Sequence, residues 1–239
     1  MVQSVAETPM TGVPPIETPA EQLCYKTQDV FNRKKELKKT IMKEQAFNDA
    51  IRSLEIEAKA ISDIVSYMDK EAFARAVDAL AACPRIMTCA SGSSGIAAKK
   101  FAHSLCCIER GAMFMPPCEA VHGGLGALKK EDVLVMVSRG GKTAELLPII
   151  DVCKKRGATL IAVTENMDAP LAKNADIILP MKIERESDKY NYMATSSYVV
   201  TIAIFDALLA ALMEETGYRR EQFALIHPGG AVGEMLNKH

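Results

Sequence analysis

Hydroxyl side chains gather at three points of the chain, and at each of them a helix is predicted to begin. Ser91-Gly92-Ser93-Ser94-Gly95 follows a short apolar run, Ile86 to Ala90, and precedes a helical pattern from Ile96 onward. Ser138 to Glu145 repeats the order of apolar strand, Gly-containing loop and helix, with Thr143 as the capping hydroxyl. Thr195-Ser196-Ser197 opens the last long helix. Glycines let the backbone approach a ligand, and the unpaired N–H groups of a first helical turn point at an anion beside the positive end of the helix dipole. The chemistry this suits is phosphate binding. Arg139 and Lys142 supply in the second loop the charge that the first loop lacks. Taken singly, each cluster is an ordinary helix cap. Three at the same end of one sheet make a phosphate pocket the better reading. The first loop has neither the Lys of a P-loop nor the three-glycine spacing of a dinucleotide fingerprint.

The elements that must position these loops alternate along the chain. Apolar runs at 86–90, 112–115, 133–137, 160–163 and 177–179 are predicted strands. Helical patterns lie between and after them at 95–110, 119–128, 144–155, a short stretch from Pro170, and 196–215. Near-continuous apolar strands alternating with helices mean a parallel sheet covered on both faces, and ligands of such sheets sit beyond the strand C-termini. Ahead of the sheet, Ile41, Phe47, Ile51, Leu54, Ile61, Ile64, Val65 and Met68 form an apolar helical stripe, and a second helix over 70–82 stops before Pro84. Residues 1–20 are Pro- and Thr-rich and read as a disordered leader. The basic stretch Cys24 to Lys39 has no aromatic platform and reads as a solvated helix face.

Composition narrows the classes. Across 239 residues the net charge is −1, which gives no basic field for nucleic acid or an anionic membrane. Seven cysteines without a Cys-x-x-Cys pair suit reduced thiols in the cytoplasm rather than a disulfide framework. The apolar run from Val199 to Met213 contains Asp206 and is expected in the core, not in a bilayer. Cys118, Glu119 and His122 have the side-chain types of metal ligands, but no second cluster completes a site, so neither metal nor cofactor is expected.

Five segments carry a resemblance: the Gly/Ser loop after the first strand, Glu119-Ala-Val-His122-Gly-Gly-Leu-Gly, Val137-Ser-Arg-Gly-Gly-Lys-Thr-Ala-Glu145, Ala194-Thr-Ser-Ser, and Phe223-Ala-Leu-Ile-His227-Pro-Gly-Gly-Ala-Val-Gly. Together they resemble the SIS (sugar isomerase) domain, and within it the arabinose-5-phosphate isomerases, without the tandem regulatory domain that often follows there. The resemblance implies a three-layer α/β/α sandwich with a mainly parallel five-stranded sheet, preceded by long N-terminal helices. It divides the chain into an extension, 1–40, disordered or helical, and an SIS domain, 41–239. It also implies a phosphate held by Ser91, Ser93, Ser94, Ser138, Thr143, Thr195 and Ser196, and acid/base groups at Glu119, His122, Glu145, Glu186 and His227. Two departures bear on the substrate. Ser93 stands where the family's first loop usually has Lys, and Ser138-Arg139-Gly140-Gly141-Lys142 where its second loop usually reads Ser-Asn-Ser-Gly-Glu.

Aldose–ketose exchange needs a proton taken from the carbon beside the carbonyl, proton shuttling between sugar oxygens, and a stabilised enediolate. A desolvated carboxylate suits the first step, a His the second, and cations or helix N–H groups the third. Glu145, in the first turn after the second loop, is the expected base; its alternative is a helix-end charge. His122 has an alternative structural role on its helix, and Glu186 could lie in a solvated loop. The expected function is a phosphosugar isomerase of the arabinose-5-phosphate/ribulose-5-phosphate type, assembled as a homodimer or homotetramer with His227 reaching a neighbour's pocket. A non-catalytic sugar-phosphate sensor and a phosphosugar lyase or deglycase are the alternatives.

Overall fold

The structure is a computed structural model in which residues 42–228 and Met235 are described. The expected 1–40 extension and the glycine-rich close of the His227 motif, 229–233, lie outside them. The chain divides at Asn48/Asp49. Of the first unit only 42–48 are described, and they begin the first helix. The second unit carries the sheet.

Helices α1 (Glu44–Tyr67) and α2 (Lys70–Ala82) come first. Asp69 caps α2 by accepting the N–H groups of Glu71 and Ala72 at 2.9 and 3.0 Å. The chain then alternates through β1 (Ile86–Cys89), α3 (Gly92–Cys107), β2 (Ala112–Phe114), α4 (Pro117–Ala120), β3 (Val133–Val137), α5 (Leu147–Arg156), β4 (Thr159–Thr164), α6 (Pro170–Asn174) and β5 (Ile177–Pro180). Helices α7 (Ser196–Glu215) and α8 (Arg220–Ile226) follow. All strand pairs are parallel, in the order β2-β1-β3-β4-β5.

The strands read as unbroken apolar runs because both faces are covered. Val133, Val135 and Val137 join one cluster with Leu80, Phe101, Leu105, Ile204 and Leu208 from α2, α3 and α7. Leu134 and Met136 join a second cluster with Leu128, Ile149, Ile150 and Cys153, built around α5. Side chains alternating across the pleat therefore feed two separate cores, which makes three layers. Within the first core the Phe101 and Phe205 rings stack at 4.1 Å and lock α3 to α7. On the outer side of the same helices Lys100 pairs with Asp206. Helix α7 is long and apolar enough to cross a membrane, yet here Val200, Ile204, Phe205, Leu208 and Leu212 are buried in the core.

One predicted element differs. The helical stretch expected over 119–128 is the short α4, a turn, and a 3₁₀ turn at Gly124–Ala127. Gly123 at φ 113° breaks the helix, and a Cβ on Gly124 would come within 2.8 Å of the Glu119 carbonyl oxygen.

Candidate functional site

The strand order reverses between β1 and β3. Strand β1 connects through α3 to β2 on one side, while its other neighbour, β3, leads on to β4 and β5. In sheets of this kind the loops leaving the C-terminal ends of the two strands at such a reversal diverge, and the crevice between them is the usual ligand position. Here these are the loops at 90–95 and 138–143.

The first turn of α3 is pressed against the end of β1. A Cβ on Gly95 would sit 2.7 Å from the Ala90 carbonyl oxygen, so only glycine allows this approach. Gly92 takes φ 59°, and Ser91, at the N-cap, makes no side-chain bond to the helix. Among the described residues the hydroxyls of Ser91, Ser93 and Ser94 engage no partner. A helix N-terminus with three uncommitted hydroxyls faces the crevice.

The second loop is already knit together. Ser138 Oγ accepts the Gly141 N–H at 3.0 Å and lies 2.9 Å from Thr143 Oγ1. The Glu165 N–H and Thr164 Oγ1 donate to the Arg139 carbonyl at 3.1 and 3.2 Å. Gly141, at φ 64°, fits under Ala169, whose Cβ would be 2.6 Å from any added Cβ. Lys142 projects from this rigid loop, exposed and without a partner among the described residues.

Arg139 differs from its expected place as a phosphate ligand. Its Nε donates to Glu165 Oε2 at 2.6 Å and its Nη1 to Glu186 Oε1 at 3.0 Å. Glu186 is 3% exposed. Its Oε2 accepts the N–H groups of Thr195 at 2.9 Å and Ser197 at 3.0 Å, and Thr195 Oγ1 at 3.3 Å. Burial pushes its carboxyl up, but the bonds from Ser197 and Thr195 and the Arg139 guanidinium together hold it below the usual carboxylate range. The N-terminus of α7 therefore already holds an anion, and it is the protein's own. Thr195 is committed to that carboxylate, while Ser196 Oγ is buried with no partner among the described residues.

The remaining acid/base candidates separate into two groups. Glu119 on α4, His122 after it, and Glu145 on the 3₁₀ turn Ala144–Leu146 are exposed residues that follow β2 and β3, at the crevice end of the sheet. His227 is elsewhere. Its ring stacks on Phe223 at 3.7 Å, and its Nδ1 lies 3.0 Å from the Phe223 carbonyl oxygen. Tyr218 donates to the Cys107 carbonyl at 2.7 Å and Gln222 to Glu109 at 2.5 Å, which ties α8 to the far end of α3. The twenty residues of α7, about 30 Å of helix, separate this end from the crevice. A chain does not bring its own His227 to its own crevice.

Glu165 escaped the sequence reading. It directly follows the last residue of β4, a strand C-terminus where site residues collect, and that position was the available signal.

With this geometry in view, the SIS domain profile matches residues 79–211, more than half of the chain. The chain belongs to the SIS domain family. Arabinose 5-phosphate isomerase of Pseudomonas aeruginosa is 36% identical over 190 residues, covering 79% of this chain. The chain spans 58% of that relative's length. A Listeria monocytogenes structure, provisionally described as a sugar-phosphate isomerase, is 45% identical with a TM-score of 0.76; the match covers 79% of this chain and all of that one. An Escherichia coli CFT073 structure solved in complex with a sugar-phosphate ligand is 28% identical with a TM-score of 0.74, again over 79% of this chain and all of that one. The five-stranded parallel sheet between helical layers is thus the SIS fold, with its crevice at the β1/β3 reversal.

Proposed function

We propose that this SIS chain is a phosphosugar aldose–ketose isomerase that takes the substrate phosphate at the N-terminus of α3. The carrying observation is that first helical turn: hydroxyls on Ser91, Ser93 and Ser94 that, like Lys142 on the adjoining loop, engage no partner among the described residues, at the strand-order reversal. The similarity to arabinose 5-phosphate isomerase supports an arabinose-5-phosphate/ribulose-5-phosphate exchange. In this reading residues 41–239 form the catalytic domain, Glu145 is the base that forms the enediolate, and Glu119 and His122 lie on the rim for proton exchange. Glu186 positions the start of α7 rather than moving protons, because a carboxylate satisfied by several donors is a poor base. The protein works in the cytoplasm, which its six described cysteines, all free thiols, suit.

One observation favours a second reading, a sugar-phosphate-sensing module. The candidate acids Glu119 and Glu145 are exposed, and the buried one, Glu186, is already bonded. A single experiment separates the two. Five- and six-carbon aldose and ketose phosphates are incubated with the protein in deuterated water and followed by NMR. Deuterium entering C1 or C2 together with isomer formation is the expected result; binding of every sugar without exchange refutes the isomerase.

The position of His227 supports assembly, since it lies away from its own chain's crevice and would have to act at that of a second chain. Ile51, Leu54, Ile61 and Val65 on α1 are exposed at spacings of three, four and seven, the pattern of a seam between helices. A homodimer or homotetramer should therefore run well above 26.0 kDa in light scattering. Co-expressed Glu145→Gln and His227→Ala chains, each inactive alone, should regain measurable turnover together. A monomer, or a mixture no more active than its parts, would overturn the shared site.

A further inference from the structure

Away from the crevice, α1 and the segment after β5 enclose two adjoining cavities of about 300 and 110 Å³, which share Arg52 and Arg185. Arg52, Ile56, Ala60 and Asp63 recur at helical spacing, so one face of α1 forms the wall.

The charges are unevenly spread. In the smaller cavity Arg52, Arg185 and Lys189 stand against Asp49 alone, and Asp49 has an interaction of its own. Arg52 has no partner among the described residues. The Arg185 guanidinium donates to the carbonyls of Glu186 and Asp188, both at 3.0 Å. Carbonyls fix its direction without cancelling its charge, so it is a pre-aimed cation. In the larger cavity Lys59 is paired with Asp63 at 2.5 Å, and Glu184 adds a second carboxylate. Ile56 and Ala60 supply an apolar stretch between the two ends.

We infer that this paired cavity is a second anion site, which holds the phosphate of a small phosphorylated polyhydroxy compound between Arg52, Arg185 and Lys189. Arginine forks and a lysine suit a phosphate dianion. The carbon chain lies along Ile56 and Ala60, and its hydroxyls donate to Asp63 and Glu184, which are acceptors only. A volume near 300 Å³ is at the small end of ligand sites and suits a compound of sugar size. The site shares no side chain with the proposed catalytic cradle. It is linked to the second loop through the residue after Arg185, since Glu186 accepts Arg139 Nη1 at 3.0 Å.

The test counts phosphate sites on the whole chain by ³¹P NMR titration, with glycerol 1-phosphate and inorganic phosphate as probes. Wild-type protein should show two sites per chain. Arg52→Glu with Lys189→Glu should keep one, with affinity at the other reduced at least about tenfold, since each charge-assisted bond lost costs about that factor. Ser94→Ala with Lys142→Ala, which strips the cradle, should keep the other one. At that remaining site glycerol 1-phosphate should bind more tightly than inorganic phosphate. Two sites surviving in the Arg52/Lys189 variant, or none in the Ser94/Lys142 variant, would overturn the inference. Equal affinity for the two probes would overturn the polyhydroxy assignment. If the double variant does not fold, Arg52→Gln carries the same comparison. Absence of deuterium exchange in the wild type would sink the isomerase and leave this count unaffected.

Discussion

Glu145→Gln should lower turnover by about 10²–10⁴-fold while leaving sugar-phosphate affinity within a few-fold of wild type. The amide keeps the shape and hydrogen-bonding reach of the side chain and removes only its capacity to take a proton. Glu145 lies three residues beyond Lys142, where the rigid second loop turns into the 3₁₀ turn leading to α5. An exposed carboxylate here becomes an effective base only when bound substrate excludes water from it. The competing role, a favourable charge near a helix start, is worth under about 1 kcal/mol and leaves turnover intact. Melting temperature should therefore barely move. Steady-state kinetics with calorimetric affinities check this, and full activity in Glu145→Gln would remove it as the base.

Glu186→Gln should behave in the opposite way, costing about 3–5 kcal/mol of stability before any question of chemistry arises. Its carboxylate is buried and accepts the start of α7 on one oxygen and Arg139 on the other. An amide would turn its NH₂ toward donors and leave the guanidinium without half of its pairing. In a domain this size the melting temperature should fall by roughly 10 °C. The pH dependence has a definite sign. The folded-state carboxyl is held below its ordinary value of 4.5, so the native state favours the ionised form. The stabilisation is complete above that ordinary value and is lost as pH falls through the lower, folded-state value. Wild type should thus lose stability on acidification below about pH 4.5, and Glu186→Gln should lack that share of the loss. Parallel melting curves from pH 7 to pH 3 check it; an unchanged Tm at pH 7 would refute the anchoring role.

The sequence was most legible where the requirement was local. Parallel strands buried on both faces must be apolar, so 133–137 and 160–163 stand out as runs within β3 and β4. The loop glycines were legible for the same reason, since the close approach at Gly95 and the positive φ at Gly141 leave other residues little room. What could not be read was pairing across the fold. Arg139 lies 26 residues from Glu165 and 47 from Glu186, and no local pattern says that a cation in a phosphate-like loop will be claimed by two carboxylates. Helix α7 shows the same limit. Its opening hydroxyls are expected at a substrate phosphate, but the fold delivers Glu186 to the N–H groups there. Position along a helix also escapes composition: the expectation that His227 serves a neighbour's pocket came from the resemblance, and no local pattern says that α7 carries the chain away from its own crevice.

Helix α7 has a further consequence, for biosynthesis. Twenty residues of nearly unbroken apolar character leave the ribosome as a segment that the membrane-insertion machinery could accept. Two features work against that fate. Asp206 sits at its middle and opposes insertion by about 2.5–3.5 kcal/mol. The order of the elements matters as much: β1 to β5 and α3 are all made before α7 emerges, so Lys100 and Phe101 are ready for Asp206 and Phe205 as these appear. A circular permutation that moved α7 ahead of β1 would preserve every contact of the finished protein and take away the surface that shelters this helix during its synthesis.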